Sequence, residues 1–116
     1  MSGPEELQED VTPEQVAELH AKGEIELIDI REPYEHEAGH IAGARHVELS
    51  KLTEEAGSLN RDRPIVFYCR VGGRSAMATQ AFRASGFQAM TMTGGLVAGD
   101  AKGLPLEPDG GSVADH

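Results

Sequence analysis

The chain of 116 residues has no tryptophan, only two tyrosines and three phenylalanines, and a single cysteine, Cys69. One cysteine excludes an intrachain disulfide and a relay through a second, resolving thiol. Any sulfur or oxidation that Cys69 takes up must leave to an outside molecule. Scarce aromatics leave the core to Leu, Ile, Val, Ala and Met. No apolar run approaches the length that spans a bilayer. The start, Ser2-Gly3-Pro4-Glu5-Glu6, lacks the basic and apolar regions of a signal peptide. The chain is therefore read as a single cytoplasmic domain in a reducing compartment. Basic residues are also few: 10 Lys and Arg face 20 Asp and Glu, a net charge of −10. That balance excludes nucleic acid and anionic membrane as partners. Seven of the acids (Glu5, Glu6, Glu9, Asp10, Glu107, Asp109, Asp115) lie near the termini, so the body is close to neutral. Residues 1–10 and 108–116 read as disordered tails around a domain over 11–107.

Within the domain, apolar runs alternate with helical patterns. Thr12-Pro13-Glu14-Gln15 is a helix start: Thr12 at the N-cap, Pro13 in the first turn, Gln15 completing a capping box. A strand follows over Ile25 to Ile30, a short helix or turn over Pro33 to Ala38, and a second strand over Ala44 to Val47. Ser50 is placed to cap a short helix through Ala56. Ile65 to Tyr68 is the most strand-like run, and Ser75 to Ala84 reads as a helix ending at Ser85-Gly86. Phe87 to Thr93 forms the last strand. Beyond it, Gly99 weakens any helix by about 1 kcal/mol relative to alanine, so a loose segment with one turn near Leu96 is expected. Alternating strands and helices imply a parallel sheet covered on both faces. Ligands of such sheets bind beyond the carboxyl ends of the strands.

Cys69 stands at such an end, opening Cys69-Arg70-Val71-Gly72-Gly73-Arg74-Ser75. A thiol at a strand-to-helix turn faces backbone N–H groups and the positive end of a helix dipole. Arg70 and Arg74 add fixed positive charge. Each favours the thiolate, which is the nucleophilic form. Gly72 and Gly73 let the loop approach sulfur closely. Ser75 reads equally as a helix N-cap and as a hydrogen-bond donor to sulfur. Arg74 is placed to orient loop carbonyls or bind an anionic leaving group, and Arg70 to meet substrate at the mouth. Asp29 and Arg31 follow a buried strand; Asp29 reads as structural, and Arg31 is open between structure and site. His36, His40 and His46 read as hydrogen-bonded or surface residues rather than metal ligands.

Four segments, in order, resemble the rhodanese family of sulfurtransferases: Leu27-Ile28-Asp29-Ile30-Arg31-Glu32-Pro33-Tyr34-Glu35, Gly39-His40-Ile41-Ala42-Gly43-Ala44, the cysteine loop, and Gly94-Gly95-Leu96 with Gly103-Leu104-Pro105. The resemblance implies a three-layer α/β/α fold with a mostly parallel central sheet. It also implies a persulfide carried on Cys69, cradled by amides of Val71, Gly72, Gly73, Arg74 and Ser75, and no cofactor or metal. The partners it implies are a small anionic sulfur donor, a thiol acceptor and a sulfur-accepting protein. Two departures stand out. Basic residues that family members use for thiosulfate correspond to Glu35 and Val71 here, and a frequent tryptophan corresponds to Gly99. The alternatives are a relay or binding module with little free turnover, and a cysteine phosphatase or arsenate reductase. Phosphatase loops place one residue more between thiol and arginine than Arg70 to Gly73, so this shorter loop suits a sulfur atom better than a phosphoryl group.

Overall fold

The computed structural model describes residues 9–59 and 61–114. The capping box at Thr12 forms as expected. Thr12 Oγ1 accepts from the Gln15 amide at 3.1 Å, and Gln15 Oε1 accepts from the Thr12 amide at 2.9 Å. It starts helix α1 (Pro13–Ala21), which follows strand β1 (Asp10–Val11). The order continues β2 (Glu26–Asp29), α2 (Pro33–Ala38), β3 (His40–Ile41), β4 (Arg45–His46), α3 (Leu52–Glu55), β5 (Ile65–Tyr68), α4 (Gly73–Ala84), β6 (Ala89–Met92), α5 (Gly95–Ala101) and β7 (Leu106–Glu107). Five strands form one sheet in the order β1-β6-β5-β2-β4, and every pairing in it is parallel. β3 and β7 form a separate antiparallel pair.

The central strand β5 shows why the fold is layered. Its residues Ile65, Val66, Phe67 and Tyr68 are all fully buried, and successive side chains point to opposite faces. Ile65 and Phe67 join a cluster with Leu52 of α3 and Ala78 and Phe82 of α4. Val66 and Tyr68 join the opposite cluster with Val16 of α1 and Leu96 of α5. Helices thus cover both faces of a parallel sheet, the α/β architecture read from the sequence. Cys69 continues the Ile65–Phe67 alternation and belongs to the α4-side cluster.

Several local expectations need correction. Ser50 caps nothing: its hydroxyl goes to the Glu48 carboxylate, and a 3-10 turn over Leu49–Lys51 leads into α3. The strand expected over Ala44 to Val47 pairs only at Arg45 and His46. The segment after β6 is a helix of seven residues rather than a loose turn. Gly99 is buried within it, facing Met92 and Leu104 where a larger residue would need room. Of the acidic tail, residues 1–8 lie outside the described residues, while Asp10 opens β1. Residues 108–114, read above as a tail, lie against the body. The Ser112 amide donates to Ala38 O at 2.9 Å, Val113 packs on the α1-side cluster, and Gly39 and Gly111 permit the close approach. No helix among the described residues is long and apolar enough to cross a membrane.

Candidate active site at the Cys69 loop

The loop turns on Gly72, whose φ of +115° a side chain would resist. This residue takes the cap position of α4, so Ser75 falls inside the first turn and is not the N-cap. The turn folds the Gly72 amide back onto Cys69, and its N–H donates to Sγ at 3.1 Å. Two carbonyls of the loop are held from outside it. Leu96 N–H donates to Cys69 O at 2.8 Å, and Val97 N–H donates to Arg70 O at 3.0 Å. Gly95, with φ +63°, allows this contact, since a Cβ there would collide with both carbonyls.

Cys69 is 1% exposed. Burial pushes its thiol pKa up, but hydrogen bonding to the Ser75 amide and hydroxyl and to the amides of Gly72 and Arg74 outweighs burial and leaves it below the ordinary value of 9.0. The site therefore favours a sulfur anion. Val71 turns outward and is 59% exposed, and Gly73 is exposed as well.

The flanking arginines are engaged. Arg74 forms a two-pronged pair with Glu35, a fully buried carboxylate from α2. That pair raises the Arg74 pKa despite partial burial, and the charge of Cys69 adds to the same direction. Arg70 Nε donates to Ala114 O at 3.2 Å, so the C-terminal segment reaches the mouth of the loop.

Asp29 and Arg31 come together behind this front. Arg31 is fully buried, donates Nε and Nη2 to the two Asp29 carboxylate oxygens at 2.8 and 2.6 Å, and donates Nη2 to Gly39 O at 2.7 Å. Its Nη1 is buried without a partner, and the guanidinium lies over the Tyr68 ring. Burial pushes the Asp29 pKa up, and Arg31 and His36 bring it down below the ordinary value. The pair ties the end of β2 to the α2–β3 turn. His36, His40 and His46 form a stack with centroids 3.7 and 4.3 Å apart. Each spends a ring nitrogen on a protein acceptor: Asp29, His36 O and Arg31 O respectively. The other ring nitrogen of His40, Nε2, lies 3.5 Å from Glu107 Oε1.

Thr91 is the site residue that sequence reasoning missed. It lies on β6, is nearly buried, and its Oγ1 is 2.5 Å from Ser75 Oγ. Nothing local marked it, because only the β5–β6 register brings it beside the loop.

Comparison with known proteins places these features in context. Residues 12–102 match the family model described as Rhodanese-like domain. YqhL of Bacillus subtilis (strain 168), an uncharacterized protein, is 44% identical over 61 residues, which cover 53% of this chain and 48% of that protein. The chain thus spans about half of that relative's length. Thiosulfate sulfurtransferase GlpE of Pseudomonas aeruginosa (strain PAO1) is 34% identical over 77 residues, covering 66% of this chain and 69% of that one. A rhodanese-related protein of Thermoplasma volcanium superposes with a TM-score of 0.78 at 27% identity, covering 84% of this chain and 95% of its own. Fold and sequence agree, and the chain belongs to the family of rhodanese-like domains.

Proposed function

We propose that this protein is a sulfurtransferase that carries a sulfane sulfur on Cys69. The observation that carries the reading is the Gly72 amide aimed at Sγ from 3.1 Å, at the start of a 12-residue helix. In the first step the Cys69 thiolate attacks the outer sulfur of thiosulfate or of a small persulfide. A new S–S bond forms, the donor's S–S bond breaks, and sulfite or a thiolate leaves with the electron pair. The enzyme then carries Cys69–S–S⁻, with the outer anion held by loop amides between Val71 and Ser75. Cyanide or an acceptor thiolate attacks that outer sulfur, and Cys69 leaves as the thiolate from which the cycle began. The chemistry uses no cofactor or metal, and a reducing cytoplasm would keep the thiol available.

A second reading, delivery of sulfur to a protein partner, is favoured by exposed apolar residues at the sheet end that carries Cys69. Tyr34, Val71, Met77 and Val97 are all exposed, and all lie on segments that follow β2, β5 or β6, at the same sheet end as Cys69. The engagement of Arg74 by Glu35 also favours a persulfide over the thiosulfate dianion.

Intact mass tests both. Wild type incubated with thiosulfate gains one sulfur atom, Cys69→Ser gains none, and cyanide removes the sulfur as thiocyanate. Loading from a persulfide but not from thiosulfate selects the relay. No loading from any donor overturns the sulfurtransferase reading.

A further inference from the structure

Two buried hydroxyls stand behind the thiol. Ser75 Oγ lies 3.6 Å from Cys69 Sγ, 3.2 Å from Gly72 O and 2.5 Å from Thr91 Oγ1. Thr91 is held independently of the loop. β6 pairs it with Phe67 on one side and Asp10 on the other, and its amide donates to Glu9 O at 2.7 Å.

A hydroxyl has one proton to give and two lone pairs to fill. While Cys69 is a thiol, its S–H donates to Ser75 Oγ, and Ser75 donates onward to Gly72 O. When Cys69 ionises, sulfur stops donating and becomes an acceptor. The Ser75 proton is then needed at sulfur, and Ser75 Oγ has lost that donor. Gly72 O can release that proton without becoming an orphan, because the Ala76 amide already donates to it at 3.0 Å. Ser75 Oγ, wholly buried, then depends on its one remaining donor. That donor is Thr91 Oγ1.

We propose that Thr91 is a positioning residue: by donating to Ser75 Oγ, it aims the Ser75 proton at the Cys69 thiolate. The Cys69–Ser75 bond reverses with the charge on sulfur, while Thr91 remains the donor to Ser75 Oγ. The inference rests on Cys69 as the working thiol, but it concerns the thiolate itself and not the fate of any transferred sulfur.

The test is a pH titration of Cys69 in wild type, Thr91→Val, Thr91→Ser and Ser75→Ala, followed by thiolate ultraviolet absorbance and by alkylation rate with iodoacetamide. Thr91→Val keeps the shape and removes the proton. Its midpoint should rise by about half a unit to one unit, which is about three- to tenfold less thiolate below the midpoint. Thr91→Ser should titrate like wild type. Ser75→Ala should shift in the same direction, and adding Thr91→Val to it should change nothing further, since the two act as one unit. A Thr91→Val midpoint equal to wild type, or a full shift persisting in the Ser75→Ala background, overturns the proposal. Should Thr91→Val fold poorly, wild type supplies the answer by NMR. The Thr91 hydroxyl proton should move with the Cys69 titration, and a proton indifferent to it overturns the proposal equally. A protein that fails to load sulfur would leave these outcomes intact, so the two readings fail separately.

Discussion

Glu35 and Arg74 face each other through two parallel hydrogen bonds, Nη1 to Oε1 at 2.9 Å and Nη2 to Oε2 at 3.1 Å. The carboxylate is fully buried and the guanidinium is 24% exposed, so the pair is largely out of water. It joins α2 to the first turn of α4 directly beside the Cys69 loop. Removing one partner of such a pair leaves a charge without its counterion in a place built to exclude solvent.

Glu35→Ala should therefore lower the unfolding free energy by about 3 kcal/mol, within the range for breaking buried pairs. Glu35→Gln, which keeps an acceptor for Arg74, should cost less. Urea denaturation of the three proteins measures both; equal stability of wild type and Glu35→Ala would show the pair to be idle.

Gly39→Ala should detach the C-terminal segment. A Cβ at Gly39 would collide with the Ser112 backbone, and Gly111 is crowded against Gly39 and Ala38 in turn. Once residues 111–114 lift off, Arg70 loses Ala114 O as its acceptor. Limited proteolysis should cut the variant in this segment faster than wild type while Cys69 remains alkylatable at a similar rate. An unchanged cleavage pattern would show that the Gly39–Ser112 contact does not hold this segment in place.

Gly99→Ala should be neutral or stabilising by up to about 1 kcal/mol, the helix-propensity difference. Its tightest new neighbour would be Met92 Cε at 3.3 Å, the free end of a flexible side chain, with Leu104 Cδ2 at 3.6 Å. Amide exchange across 96–102 should slow in the variant. A loss of more than about 1 kcal/mol would show that the interior has no slack there.

Acid should weaken the fold in two separate windows. Burial pushes the His36 pKa below its ordinary 6.5, against the pull of Asp29, with His40 and His46 adding to the depression. The unfolded chain then binds this proton more readily, so stability falls as pH drops below about 6.5 and levels off below the depressed midpoint. Asp29, also depressed, adds its loss only at lower pH, beginning near the ordinary 3.8. Chemical denaturation between pH 7.5 and 5 should show the first slope in wild type, and His36→Gln should flatten it.

What could be read from the chain was what neighbours in sequence decide. The Thr12–Gln15 box and the strand–turn–helix around Cys69 each span a few residues, so residue types and spacing carried them. Glu35–Arg74 spans 39 residues and Ser75–Thr91 spans 16, and both depend on packing or strand register that no local pattern encodes. The helical propensity of α5 is lowered by Gly99, which is why a loose segment is expected there from sequence. Its place is set instead by Leu96 in the core and by two carbonyls of the cysteine loop. The segment over 108–114 has the composition of a coil, and its order comes from two glycines meeting at α2.

The bonds from Leu96 and Val97 to the carbonyls of Cys69 and Arg70 also impose a sequence in time. A ribosome delivers Cys69 well before residue 97, so a nascent chain presents its only thiol in a loop whose carbonyls still lack their donors. Thr91, too, arrives late. The carbonyls of the Cys69 loop thus gain these two donors only once α5 has been made and docked.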